Sequence, residues 1–164
     1  MRRVLLVWIA AVCASVVCGC SKSPVQSASM TPTISYGEKV TVDYTAYALS
    51  KPKRWDVVVF DGPPPISSTN LAAKRVVALP LETISFSSNA IVVNGRPLSM
   101  PPALSNVVYC PPEKWPDRGN LIAFPYTVPA NQYFVLGDNM ANSLDSRYYA
   151  AVSETNIFGK VKNK

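Results

Sequence analysis

Three stretches of this chain carry residue types that could do nucleophilic or acid-base chemistry. The first is Ser27-Ala28-Ser29-Met30-Thr31-Pro32-Thr33. Ser29 has small neighbours, and Pro32 fixes the backbone just beyond it. A nucleophilic serine needs a reachable hydroxyl and backbone N–H groups close by for the oxyanion, and small neighbours leave room for both. The same residues would also suit a Ser/Thr-rich linker entering a strand. The second stretch is Ala72-Ala73-Lys74-Arg75-Val76-Val77-Ala78-Leu79. On a strand, Ala72, Lys74, Val76 and Ala78 share one face. Lys74 would then sit among small apolar side chains, where desolvation disfavours its charged form and makes it a usable base. Arg75 could not take that role, because a guanidinium stays protonated. An edge-strand lysine that reaches out to water is the plainer reading.

The third stretch runs from Gly137 through Asp138, Asn139, Asn142, Ser143, Asp145 and Ser146 to Arg147 and Tyr149. Such a dense polar loop must satisfy its own groups or organise something beside it. Asp145 and Arg147 are close enough to pair, and Asn142 and Ser143 could hold a neighbouring side chain. A surface loop of Asx-turns would look similar.

The chain has no histidine. Ser-His-Asp and Cys-His catalysis, histidine-ligated metals and histidine proton shuttles are therefore excluded. Of the four cysteines, Cys13, Cys18 and Cys20 lie in the first hydrophobic stretch. Cys110 is left alone in the body of the chain, so no intradomain disulfide and no zinc site are expected. Neither a metal nor a cofactor is called for. The net charge is +6, but the basic residues are scattered. No basic helix and no aromatic-basic alternation marks a nucleic-acid surface; mild attraction to anionic lipid headgroups fits better.

The elements that must position these residues read as short strands. The 164 residues suit one domain, and 48% apolar composition is enough for a core. Fifteen prolines and seven glycines argue against long helices. Residues 39–44, 55–60, 71–79, 82–86, 132–136 and 156–162 read as strands. Residues 90–93 and 96–98 flank Asn94-Gly95 as a two-residue hairpin. Residues 21–28 read as a polar linker, 61–70 as a loop, and 100–129 as irregular with one candidate strand at 107–109. The fold class is all-β, with antiparallel sheets forming a partly closed, barrel-like assembly.

One N-terminal hydrophobic helix is expected ahead of it. Arg2 and Arg3 precede an uncharged run from Val4 to Cys20, near the lower limit of the about 17–25 residues that span a bilayer. Residues 1–21 are thus a membrane anchor or a cleaved signal segment, and 22–164 the folded domain. Val17-Cys18-Gly19-Cys20 has the form of a lipobox, which would lipidate Cys20. Either reading puts the domain on the outer face of a membrane, because the arginines stay inside.

Taken in order, the boxes resemble those of the type I signal peptidases, serine proteases of family S26. Ser29-Met30-Thr31-Pro32-Thr33 matches the S-M-x-P-T box. Trp55-Asp56-Val57-Val58-Val59-Phe60 resembles G-D-[IV]-V-V-F, Lys74 to Pro80 matches K-R-V-V-G-L-P, and residues 137–147 match G-D-N-x-x-x-S-x-D-S-R. The resemblance implies Ser29 as nucleophile and Lys74 as general base. It further implies that the Ser27 hydroxyl joins the Ser29 N–H at the oxyanion, that Ser143 orients the lysine, that Asp145 and Arg147 form a supporting ion pair, and that Met30 lines the binding cleft. Ala78 and Leu81 stand where the family has glycines, Met140-Ala141 where it often has Arg-Asp, and Ala150 where a glycine often follows. These departures bear on loop conformation and substrate preference more than on chemistry. The short stretch between the last two boxes implies a reduced accessory β-domain.

The implied function is a membrane-bound, monomeric endopeptidase that removes signal peptides from exported preproteins, with the preprotein and the bilayer as its partners. Two alternatives stand beside it: a maturation protease of the same family with one dedicated substrate, and an inactive membrane-anchored β-domain that binds peptides.

Overall fold

The computed structural model describes residues 20–62, 71–88, 90–109, 112–118 and 121–162, with backbone only at 20, 21 and 23. Among these residues the chain forms β1 (Cys20–Pro24), β2 (Lys39–Asp43), β3 (Val57–Asp61), β4 (Leu71–Ala78), β5 (Thr83–Phe86), β6 (Ile91–Val93), β7 (Arg96–Pro97), β8 (Tyr126–Thr127), β9 (Gln132–Leu136), β10 (Val152–Ser153) and β11 (Ile157–Val161). Among the same residues one α-helix, α1 (Ser146–Tyr149), accompanies four short 3-10 turns.

A seven-stranded sheet has the order β1-β2-β11-β3-β4-β9-β10, and a four-stranded sheet has the order β7-β6-β5-β8. Every pairing is antiparallel. Among the described residues the larger sheet ends at β1 on one side and β10 on the other, so the barrel-like closure expected from the sequence is not formed by them. Two open sheets share a core instead.

β3 is central, and its sequence shows why. Val57, Val58, Val59 and Phe60 are all buried, as a strand covered on both faces requires. Val57 and Val59 pack with Met30, Ile34, Val40, Val42 and Val161. Val58 and Phe60 pack with Ala72, Val76, Tyr133, Val135 and Val152 on the other face. A third cluster joins the two sheets: Val77, Phe134 and Leu136 from the large sheet meet Ile84, Ile91 and Val93 from the small one.

The hairpin expected at Asn94-Gly95 is present. Both residues have positive φ, 51° and 75°, as a tight two-residue turn between twisted strands demands. Other expectations change, and residues 126–127, read within the irregular stretch, form strand β8 paired with β5. Residues 20–24, read as the end of the anchor and the start of a linker, are strand β1, paired from Cys20 opposite Asp43 to Pro24 opposite Lys39. Residues 107–109 form no strand. Ala78 leaves the face of Ala72 and Val76, because the β4–β9 register shifts between Val76 and Ala78; it packs with Val77 in the cluster between the sheets. The expected helix lies outside the described residues up to position 19, as does Cys110. Among the described residues, no helix is long and apolar enough to cross a membrane.

Candidate active site

Lys74 stands in mid-strand on β4, opposite Val58 of β3 and between Ala72 and Val76, which pack on Val58's face. On the other side of β4, pairing with β9 begins only at Arg75, opposite Leu136. The chain leaves the sheet at Gly137, and this departure makes room for a second segment to approach Lys74.

That segment is the turn that begins at Ser29. Its backbone is folded by Thr31 N–H to Ala28 O and Ile34 N–H to Met30 O bonds. Met30 and Ile34 plug it into the apolar cluster beside β3. Asn139 grips it from the far side: its N–H donates to Ser29 O at 2.9 Å and its side-chain amide to Ala28 O at 3.3 Å. Thr33 donates to Asp138, which accepts two further bonds from Arg75, Nε at 2.8 Å and Nη2 at 2.6 Å. Arg75 Nη1 also reaches Trp55 O at 2.8 Å. The Ser29 turn, β4 and the loop after β9 are therefore clamped together by one buried ion pair.

The result is a contact of 2.8 Å between Lys74 Nζ and Ser29 Oγ. Nζ also donates to Ala73 O at 3.0 Å. Both side chains are almost wholly buried, at 5% and 4% exposure. Burial lowers the Lys74 pKa to about 8, against the opposing pull of the Asp145 and Asp138 carboxylates. An amine in this range is substantially neutral at mildly alkaline pH, and its lone pair can then accept the Ser29 proton.

Ser27 is exposed, and its Oγ accepts the Ser29 N–H at 3.1 Å. Asp145 and Arg147 form a fully buried bidentate pair, Nε–Oδ1 at 2.8 Å and Nη2–Oδ2 at 3.0 Å. Asp145 also caps the start of α1 and accepts the Gly137 N–H at 3.0 Å. Ser143 Oγ is buried and bonds to no group among the described residues. It lies against Gly137, where a Cβ would come within 2.2 Å of that oxygen and 2.6 Å of Ser29 O. Glycine is required at 137 for space rather than for backbone freedom. Met30 is 1% exposed, buried among its apolar neighbours.

Six of the seven side chains singled out from the sequence thus meet a partner, and Ser143 lies beside them without bonding to Lys74. The sequence reading missed the clamp of Thr33, Arg75 and Asp138 and the grip of Asn139. The Gly137-Asp138-Asn139 run was visible, but nothing in it points to residues as distant as 33 and 75. Among the described residues, no group of three metal-ligating side chains is gathered.

The profile of the family described as "Signal peptidase, peptidase S26" matches residues 1–164. The chain belongs to this family. It is 32% identical over 142 residues to a signal peptidase I of Leptolyngbya laminosa, covering 83% of this chain and 64% of that protein. A signal peptidase I V of Bacillus subtilis is 29% identical over 148 residues, covering 85% and 82%. The crystal structure of a signal peptidase I from Enterococcus faecalis superposes with a TM-score of 0.51 at 31% identity, covering 68% of this chain and 97% of that one. The predominantly β, antiparallel architecture is shared with this family member. The chain spans under two thirds of the Leptolyngbya protein, and of a second such relative, a probable signal peptidase I-2 of Synechocystis, it spans 58%.

Proposed function

We propose that this chain is a serine endopeptidase that removes signal peptides from exported preproteins, with Ser29 as nucleophile and Lys74 as general base. The observation that carries the reading is the buried 2.8 Å contact between Lys74 Nζ and Ser29 Oγ, with burial holding the amine near pKa 8.

The preprotein's cleavage region would add as an extended strand to the part of β4 from Leu71 to Lys74. This edge has no partner strand on the β9 side among the described residues, and main-chain bonding to such an edge is a general mode of peptide capture. Neutral Lys74 takes the Ser29 proton as Oγ attacks the scissile carbonyl. The new oxyanion takes over the Ser29 N–H, displacing the Ser27 hydroxyl, which turns to donate to it. The Lys74 ammonium then protonates the leaving amine, and a water activated by the same lysine releases the acyl group. Ser143 keeps a buried hydroxyl free to bond to Lys74 as the ammonium forms and breaks. A buried unpaired hydroxyl costs about 1–3 kcal/mol, so a role in the reaction accounts for its retention.

The hydrophobic run before Cys20 would hold the domain at the outer face of the membrane. Ser29 follows Cys20 by nine residues, which keeps the dyad near the bilayer surface where a signal peptide's cleavage site emerges. The test is cleavage of a purified preprotein by the full chain in detergent. Lys74→Ala and Ser29→Ala are expected to lower turnover by about 100- to 10,000-fold, with the melting profile retained. Undiminished turnover by Lys74→Ala would overturn the assignment.

A further inference from the structure

Arg147 is fully buried and carries five N–H bonds that need partners. Nε and Nη2 are satisfied by Asp145, by Met140 O at 2.8 Å and by Ser143 O at 3.3 Å. Nη1 reaches no oxygen among the described residues. It meets aromatic rings instead: the guanidinium carbon lies 5.0 Å from the centre of the Trp115 ring and 5.1 Å from that of Tyr148. A buried guanidinium over an aromatic face is held by the ring's quadrupole as well as by packing.

Trp115 comes from the segment between β7 and β8, whose described residues join neither sheet. Its ring is fixed edge-on by Phe86 at 4.7 Å and Phe124 at 5.8 Å. The same stretch is tied to α1 twice more. Tyr148 OH donates to Pro116 O at 2.8 Å, and Ile122 N–H donates to Arg147 O at 2.9 Å.

We propose that Trp115 is a positioning residue of the Ser29–Lys74 centre: its ring presses the Arg147 guanidinium onto Asp145, and so fixes the carboxylate that holds the Gly137 backbone beneath Ser29 and Ser143. This rests on the reading of Ser29 and Lys74 as the catalytic pair. The chain of contacts is unbroken, from the Trp115 ring to Arg147, from Arg147 to Asp145, and from Asp145 Oδ2 to Gly137 N–H.

The charges around Lys74 give the contact a measurable consequence. Arg75 lies on its own strand, Asp138 and Asp145 lie on the loop after β9, and Arg147 lies on α1. Asp138 is neutralised by Arg75, and Asp145 by Arg147. The nearby Tyr109 and Tyr149 hydroxyls are held neutral, their pKa pushed up first by burial. Without the ring, Arg147 is free to turn Nη1 toward water and loosens from Asp145. A less screened Asp145 favours the Lys74 ammonium. The sign follows: Lys74 keeps its proton to higher pH, and the acid limb of kcat/KM moves up.

The experiment is the pH profile of kcat/KM for the full chain in detergent, from pH 6 to 10, with a preprotein substrate. The unsubstituted protein should show a limb near pH 8, absent with the activity itself in Lys74→Ala; a Lys74→Ala protein as active as its parent would sink the dyad rather than the Trp115 proposal. Trp115→Ala is expected to raise the limb by about half a unit or more, which is about a threefold loss at pH 7. Trp115→Phe, which keeps an aromatic face, should recover most of the shift. Should Trp115→Ala not fold, Trp115→Leu fills the space without the ring's quadrupole and is expected to show the same upward shift. A folded Ala or Leu variant with reduced amplitude and an unmoved limb would make the residue purely structural and overturn the proposal.

Discussion

Leu81 holds φ at 68° with 72% of its surface exposed. Trp55 and Ala150 hold φ at 75° and 65°. All three stand where the family's boxes carry glycine, so the backbone keeps a glycine's path under a different side chain. The left-handed region costs a residue with a Cβ about 1–2 kcal/mol. Trp55 recovers some of this by packing against the cluster between the sheets and by offering its carbonyl to Arg75. Exposed Leu81 has no comparable burial. Leu81→Gly is therefore expected to stabilise the protein, with strain relief outweighing the added chain entropy to leave about 0.5–1 kcal/mol. A thermal melt should show a higher Tm with unchanged activity; a lower Tm would mean that the leucine makes a contact worth more than its strain. The departures from glycine were legible in the sequence, but the conformation was not, because a leucine no longer signals positive φ.

Most of the strands that sequence reading located have side chains that face a core; β7, exposed at both residues, was located through the Asn94-Gly95 turn instead. β3 and β4 are runs of β-branched and small residues buried on one or both faces, and their pattern survives in one dimension. β1 escaped because an edge strand needs only main-chain bonds, and Cys-Ser-Lys-Ser-Pro shows no apolar face. α1 escaped for the opposite reason: four residues are too few to set a helical period. What links these elements is the buried pair of Arg75 on β4 and Asp138 after β9, with side chains 1% and 0% exposed. Removing one partner strands a charge in the interior. Asp138→Ala is expected to destabilise by about 3–5 kcal/mol in chemical denaturation. Adding Arg75→Met removes the stranded guanidinium and should restore part of that loss. A double variant no more stable than Asp138→Ala would show that the cost lies in the Thr33 and Trp55 contacts rather than in the uncompensated charge.

At the scale of the whole molecule, the two sheets could be separate folding units or one. The stretch from 100 to 129 gave the sequence reading little pattern because its local order among the described residues is limited to short turns such as those at 102–104 and 112–114, and tertiary bonds tie it to the sheets. Val128 exchanges bonds with Leu81 and Glu82, and Ile122 bonds to Arg147. Phe134 shows how the sheets are joined. It belongs to β9 of the large sheet, is fully buried, and meets the Phe124 ring at 6.1 Å and the Tyr126 ring of β8 at 5.7 Å. Ile84, Ile91 and Val93 of the small sheet share its cluster. Neither sheet can expose this interface without baring apolar surface on the other. Unfolding should then be a single cooperative event for both. Phe134→Ala is expected to cost about 3–5 kcal/mol, and native-state hydrogen exchange should show the amides of β4 and β5 losing the same amount of protection. If β5 and β6 lose it while β3 and β4 do not, the small sheet opens on its own. The Phe86 and Phe124 rings that fix Trp115 would open with it, and its grip on Arg147 would have a lower stability than the Lys74–Ser29 contact on the large sheet.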